Sequence, residues 1–106
     1  MIKSGGFFVA PAEVEEVILL HPGVDEVAVF GIHSETWGQE VKAVVVLKEG
    51  FSITEKEIRK HCRGRLADFQ IPKTVSFIDR LPRDPELGKV KIPELIEAFS
   101  KSKAPK

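Results

Sequence analysis

The sequence predicts an α+β fold: a small central sheet of about three main strands, flanked by three helices and preceded by an N-terminal glycine loop. Runs rich in β-branched and aromatic residues predict the strands, and apolar residues that recur at helical spacing predict the helices. Helix, strand, strand, helix, strand and helix follow one another without internal repeat or long linker. Such an order favours helices packed on one small sheet. The 106 residues suffice for a single domain, 1–106, with one modest core.

The first segment, residues 3–8, is predicted to be a loop because it contains the pair Gly5-Gly6. Paired glycines favour positive φ angles or close backbone approach over regular structure. A helix should begin at Pro11, which suits the first helical position, and end at Pro22-Gly23. Along it, Val14, Val17, Ile18 and His21 recur at the i, i+3, i+4, i+7 spacing of a helix.

Three strands are predicted. The first, Val24 to Ile32, should be buried on both faces, with Val27 and Val29 on one face and Ala28, Phe30 and Ile32 on the other. The second runs from about Val41 to Leu47, and Lys42 and Lys48 should mark the ends of its second face. The third covers Thr74 to Ile78.

Two further helices follow from start signals and apolar spacing. Thr54 to Glu57 is a capping box that should open a helix reaching about Leu66. This helix is basic through Arg59, Lys60, Arg63 and Arg65, which form either a solvated face or a polyphosphate or partner surface. The last helix should start at Pro93, and residues 101–106 are expected to form a disordered tail.

Composition excludes several classes of function. Lysine plus arginine equals aspartate plus glutamate at 16 each, so no overall field favours nucleic acid or an anionic membrane. The apolar runs are too short for a membrane span and the start lacks a signal peptide, which predicts a cytoplasmic location. Cys62 should be a small buried hydrophobe rather than a nucleophile. The histidines lack metal-binding spacing, and no metal site is expected.

Three local patterns, in a fixed order, carry a family resemblance. They are Ile2 to Glu15 with its glycine pair, His21 to Val29 followed by Trp37 to Ala43, and Leu81-Pro82-Arg83 leading to Gly88-Lys89 with Leu95 six residues beyond. Together they resemble the C-terminal domain of the adenylate-forming superfamily, which includes acyl- and aryl-CoA synthetases, peptide-synthetase adenylation domains and luciferases. The resemblance extends from Ile2 to about Ala98.

The resemblance implies that Lys89 is a mobile catalytic lysine, supported by Gly88 in its loop. When a carboxylate attacks the α-phosphate of ATP, negative charge gathers on oxygen atoms, and an ammonium group on a flexible stem stabilises it. Here Arg83 to Lys89 lacks the threonine that is usual in the family and is one residue longer than usual.

The resemblance further implies a surface for coenzyme A. Gly5 and Gly6 would let a pantetheine arm pass close to the backbone, although a simple tight turn explains them equally well. Trp37, Phe69 and Lys73 would surround the CoA nucleotide by stacking, packing and phosphate pairing. For the two aromatic residues a place in the core is the alternative.

As a domain of an AMP-forming acid–CoA ligase, the chain would act with a large N-terminal domain that binds ATP, the acid and Mg²⁺. ATP and CoA would be substrates, with no cofactor bound tightly by this domain, and the acceptor would be CoA or a carrier thiol. The isolated chain would be inactive. The alternative is a free-standing, non-catalytic module that binds CoA, a carrier protein or a partner ligase subunit.

Overall fold

The computed structural model of this protein describes residues 1–101. Its five strands are β1 (Ile2–Ser4), β2 (Phe7–Val9), β3 (Val24–Ser34), β4 (Gly38–Leu47) and β5 (Thr74–Phe77). Its helices are α1 (Pro11–Leu19), α2 (Glu55–Cys62) and α3 (Ile92–Lys101), with a short 3-10 helix at Asp68–Gln70. The α+β prediction is confirmed.

Strand β4 organises the sheet. Strand β3 pairs with it antiparallel from Val24 opposite Leu47 to Ser34 opposite Gly38. On its other side, β1 pairs antiparallel at Ser4 and β5 pairs parallel along Lys42 to Val45. The three main strands predicted from sequence are therefore present, and the hairpin of β1 and β2 adds two short ones. Three residues are too few to show the alternation by which strands are recognised.

The core lies on both faces of the sheet, as the two-sided burial of the first predicted strand requires. One face packs Val29, Val41, Ala43 and Val45 against α1 and α2 through Val14, Ile18, Ile58 and Cys62. The other face packs Ala28, Phe30, Ile32 and Val44 against Leu81 and Leu95. The prediction for Cys62 is confirmed, since it is fully buried and burial raises the pKa of its thiol.

Several element ends differ from the predictions. Helix α2 ends at Cys62 and not at Leu66, because Arg63 is extended and Gly64 has a φ of 82°. Strand β3 ends two residues later than predicted, and β4 begins three residues earlier. Only residues 35–37 therefore link the two strands. The predicted tail starts one residue too early, because Lys101 still belongs to α3. The rest of that prediction, residues 102–106, lies outside the described residues.

Lys42 lies inside a strand and does not mark its end, because β4 begins four residues earlier at Gly38. It is only 6% exposed. Its ammonium group donates a 2.6 Å hydrogen bond to Ser76 Oγ and lies 5.0 Å from the centre of the Phe99 ring. A lysine is tolerated at this depth because its charge is met by polar and aromatic groups while its stem packs in the core. Within residues 1–101, no helix is long and apolar enough to cross a membrane.

Candidate functional site

The N-terminal glycine pair forms the turn of a β-hairpin and is more ordered than the predicted loop. Ser4 pairs with Phe7, so Gly5 and Gly6 alone connect β1 to β2. Their φ angles are 58° and 88°, and a two-residue turn with positive φ at both positions favours glycine. The tight-turn explanation is thus correct for both glycines.

Gly5 has a second role, which is to let its backbone approach an indole. A Cβ atom at Gly5 would lie 2.8 Å from Cε3 of Trp37, whereas one at Gly6 would meet no atom within 4 Å. The amide of Gly5 also donates a 2.9 Å hydrogen bond to the carbonyl oxygen of Trp37. The hairpin turn is therefore fixed against the loop that connects β3 to β4.

A cleft of about 220 Å³ opens between these two loops. It is lined by Ser4, Gly5, Phe7, Trp37, Asp68, Phe69 and Lys73. Four of the five residues predicted to face CoA are thus brought together from positions far apart in the chain. The fifth, Gly6, belongs to the same turn but does not line the cleft.

The aromatic residues of the cleft are exposed. Trp37 and Phe69 keep 44% and 37% of their surface, so the alternative that places them in the core is wrong. Phe69 lies on the 3-10 helix and stacks on Phe7 with ring centres 4.4 Å apart and planes 15° apart. Lys73 places its ammonium group 4.6 Å from the centre of the Trp37 ring, within the range of cation–π attraction.

Sequence reasoning missed three residues of the cleft, Ser4, Phe7 and Asp68. Phe7 is 53% exposed on a strand of only three residues, which is too short for its outward direction to follow from alternation. Asp68 enters because the chain turns into a 3-10 helix after α2 has ended. It places a carboxylate in the same cleft as the ammonium group of Lys73, so the wall carries charges of both signs.

Lys89 lies elsewhere, on a loop that closes on itself. Arg83 and Val90 form an antiparallel bridge at its base, and the amide of Asp84 donates a 2.8 Å hydrogen bond to the carbonyl oxygen of Lys89. Gly88 precedes the lysine with a φ of 74°. The Lys89 side chain is exposed and makes no hydrogen bond or ion pair with other residues in the range 1–101. The ammonium group is therefore available to an external anion.

The Lys89 loop and the cleft lie at opposite ends of the same two strands. The loop is attached to the sheet through Arg83, which pairs at 2.6 Å with Glu26, and Glu26 lies opposite Val46. The cleft lies at the other end, where Ser4 and Ser34 both pair with Gly38. Eight residues of strand, about 25 Å, separate Gly38 from Val46. The paired strands β3 and β4 thus separate the lysine loop from the cleft.

The basic segment around α2 is used partly within the chain. Arg59 donates to the carbonyl oxygen of Pro72 at 3.0 Å, and Arg65 donates to that of His61 at 2.8 Å. Lys60 and Arg63 are exposed. Among the described residues, no group of three or more histidine, cysteine, aspartate or glutamate side chains is placed to hold a metal ion.

Fold and surfaces define a small α+β domain with a lysine loop and an aromatic cleft at opposite ends of one sheet. The chain belongs to the AMP-binding enzyme C-terminal domain family, whose model matches residues 13–89. The resemblance drawn from the three sequence patterns is confirmed.

Relatives and solved structures agree with this membership. The chain is 42% identical over 96 residues to a mitochondrial malonate–CoA ligase of Bos taurus, covering 91% of this chain and 16% of the relative. It is 50% identical over 84 residues to a 2-succinylbenzoate–CoA ligase of Geobacillus kaustophilus, covering 79% and 17%. A fatty acyl CoA synthetase of Mycobacterium tuberculosis superimposes with a TM-score of 0.89 at 43% identity, covering 96% of this chain and 20% of that one. The chain spans about a sixth to a fifth of these proteins.

Proposed function

We propose that this chain is the mobile C-terminal domain of an ATP-dependent, AMP-forming acid–CoA ligase. The observation that carries the proposal is the placement of the exposed Lys89 loop and the aromatic cleft at opposite ends of β3 and β4. A single active site can meet both surfaces only in turn. The domain therefore rotates between an adenylation position and a thioester-forming position.

In the adenylation position Lys89 enters the active site of the large N-terminal domain. That domain binds ATP, the acid and Mg²⁺, and this chain contributes the ammonium group. A cation on a flexible stem stabilises the charge that develops on phosphoryl and carboxylate oxygens, and it does so most strongly where water is excluded. Gly88 supports this role because its positive φ turns the chain immediately before the lysine.

In the second position the glycine hairpin and the cleft face the adenylate. The backbone at Gly5 and Gly6 carries no side chain, so a pantetheine arm passes close to it. Trp37 and Phe69 offer π surfaces for the adenine of CoA. An adenine stacked on Trp37 displaces the ammonium group of Lys73 from the ring, and the ammonium group then pairs with a phosphate.

The role of Lys89 is tested by joining this chain to a large domain from which the native C-terminal domain has been removed. We expect Lys89→Ala to abolish adenylate formation while CoA transfer to a preformed adenylate persists. Lys91→Ala is the matched control, because this neighbouring lysine pairs with Glu94 at 3.4 Å. Normal adenylate formation by the Lys89 variant would disprove the assignment.

The cleft is tested by the opposite pattern. Trp37→Ala should raise the KM for CoA about tenfold or more, as expected for the loss of one stacking contact, and should spare adenylation. Phe51→Ala is the control, because Phe51 is similarly exposed at 47% and lines a different surface. An unchanged KM for CoA in the Trp37 variant would remove the cleft from the proposal.

A second candidate function is a free-standing module that binds CoA, a carrier protein or a partner subunit without catalysis. It is favoured by one observation, namely that the cleft combines exposed aromatic rings with the ammonium group of Lys73, which are suitable groups for binding a nucleotide. Titration of the isolated chain with CoA distinguishes the two. Tight binding without a large domain supports the module, whereas binding that requires the large domain supports the ligase.

A further inference from the structure

The loop that carries Lys89 is held by a dense set of hydrogen bonds. At its base the amide of Lys91 donates to the carbonyl oxygen of Pro82 at 2.8 Å, next to the bridge of Arg83 and Val90. These contacts fix both ends of the loop. Without further hydrogen bonds, the residues between the two ends would still be free to move.

Asp84 orders the tip of the loop. Its carboxylate accepts hydrogen bonds from the amides of Glu86 and Leu87 at 2.8 and 2.9 Å. Its carbonyl oxygen accepts a third from the amide of Gly88 at 2.7 Å. The amide bonds hold the pKa of the Asp84 carboxyl below its ordinary value, with Leu87 the larger cause. Asp84 therefore fixes the tip of the loop through three local hydrogen bonds.

Arg83 ties this ordered loop to the sheet. One guanidinium nitrogen donates to the carbonyl oxygen of Gly88 at 2.7 Å, and another donates to Oε1 of Glu26 at 2.6 Å. Glu26 lies on β3 and is paired with Val46 of β4. The planar guanidinium thus connects the residue before Lys89 to the paired strands β3 and β4.

We propose that Glu26, Arg83 and Asp84 form a clamp that holds the Lys89 loop in its docking conformation before the large domain closes on it. This inference rests on the proposed role of Lys89 in adenylation. The three are positioning residues, since none reaches the reacting atoms. A loop that is already ordered loses less conformational entropy on docking, so more of the docked population has the lysine in reach.

Amide hydrogen exchange in the 106-residue chain measures the clamp directly. We expect Arg83→Gln to speed exchange of the Gly88 and Asp84 amides about tenfold, the factor that corresponds to losing one exposed charge-assisted hydrogen bond. Glu26→Gln should have a smaller effect in the same direction. Arg80→Gln is the matched control, because Arg80 is an exposed arginine near the loop without a hydrogen bond or ion pair to residues 1–101. Amides of β3 and β4 should keep their protection in all variants and so report an intact fold.

Kinetics in the fusion of this chain with a large N-terminal domain then separate positioning from mere stability. Arg83→Gln should lower kcat for adenylation about tenfold, leave the KM for ATP unchanged and spare CoA transfer to a preformed adenylate. Arg83→Lys should restore part of the rate, because one ammonium group can reach only one of the two acceptors well. Uniform loss of both half-reactions would indicate general destabilisation and would refute the clamp.

The outcomes distinguish this inference from the function on which it rests. If Lys89→Ala loses adenylation while Arg83→Gln keeps the wild-type rate or the wild-type loop protection, the clamp is wrong and the role of Lys89 stands. If Arg83→Gln opens the loop but Lys89→Ala still forms adenylate, the role of Lys89 is wrong, and the positioning inference is overturned with it.

Discussion

Gly5 lies where the backbone of the first hairpin meets the ring of Trp37. Two physical demands favour glycine there. The backbone has a φ of 58°, and a Cβ atom would lie only 2.8 Å from the indole. Its neighbour Gly6 meets only the first demand, with a φ of 88° and open space around it. The two glycines therefore have different sensitivities to substitution, although they stand side by side in the sequence.

A double-mutant cycle measures this difference. Gly5→Ala should destabilise the protein by about 1–3 kcal/mol, because alanine is strained at positive φ and its methyl group displaces the indole. Part of that loss should be recovered in a Trp37→Ala background. Gly6→Ala should lose stability through strain alone and should show no coupling to Trp37. Urea unfolding of the six proteins tests this, and equal coupling for both glycines would contradict the close contact.

Glu15 illustrates how burial acts on one carboxylate. It accepts a 2.9 Å hydrogen bond from the amide of Val29 on strand β3, and burial raises the pKa of its carboxyl more than that bond lowers it. A raised pKa means that the folded state holds the proton more tightly than the unfolded state. The charged carboxylate therefore reduces stability at neutral pH, and protonation relieves this effect.

Glu15→Gln should accordingly raise the melting temperature at pH 7, because the amide keeps an acceptor for Val29 and removes the buried charge. The gain should shrink as the pH falls through the raised pKa and should vanish below the ordinary value of 4.5. Thermal unfolding at several pH values measures it. A gain that is constant with pH would show that packing, not charge, is responsible.

At the scale of elements, α2 is the helix whose start is best defined by local chemistry. The Thr54 hydroxyl accepts from the amide of Glu57 at 3.2 Å, and the carboxylate of Glu57 accepts from the amide of Thr54 at 2.9 Å. This is the reciprocal capping box that the sequence predicts. The bond from the Thr54 amide is the main cause that holds the pKa of the Glu57 carboxyl below its ordinary value of 4.5.

Thr54→Ala should destabilise the protein by about 1 kcal/mol, the usual effect of losing an N-cap side chain.

Glu57→Gln should be less stable than the wild type at pH 7 and equal to it at strongly acidic pH. The sign follows from the lowered pKa, because the stabilisation is complete above the unfolded value of 4.5 and is lost as the pH falls through the folded value. The free energy of unfolding of both proteins, measured against pH, tests this prediction. A stability difference that persisted at strongly acidic pH would contradict it.

At the scale of the whole molecule, the sheet separates two cores, and its strands separate the Lys89 loop from the cleft. Ile18 and Ile32 are buried at 0% and 2% exposure on opposite faces. The strands that keep these cores apart also keep the Lys89 loop and the cleft apart. The proposed ligase function uses this separation, because each surface can then face an active site in turn.

The two cores should respond independently to small changes. Ile18→Val and Ile32→Val should each destabilise by about 0.5–1.5 kcal/mol, since each removes one buried methylene. The double variant should lose the sum within about 0.5 kcal/mol, because residues with no shared partners act additively. Urea unfolding measures all three variants, and a coupling above about 1 kcal/mol would show that the sheet transmits packing changes between its faces.

The sequence by itself determined the elements whose signals are local. These signals are the alternation in β3 and β4, the capping box at Thr54 and the proline at the start of α1. Each acts within a few residues, so it can be recognised from the sequence alone. The three motif patterns likewise identified the family before any contact was known. The end of α2 was set too late because apolar spacing continues through Leu66 although the backbone at Gly64 leaves the helix.

Only the tertiary structure decided which residues meet. It brought Phe7, Trp37, Phe69 and Lys73 into one cleft. It also left the rings of Trp37 and Phe69 exposed to solvent, although the sequence allowed a place in the core, and it buried Lys42. It also set the Lys89 loop against Glu26, far from that cleft. These outcomes depend on strand register and on loop geometry, which fix contacts between residues tens of positions apart. No local pattern of side chains contains that information.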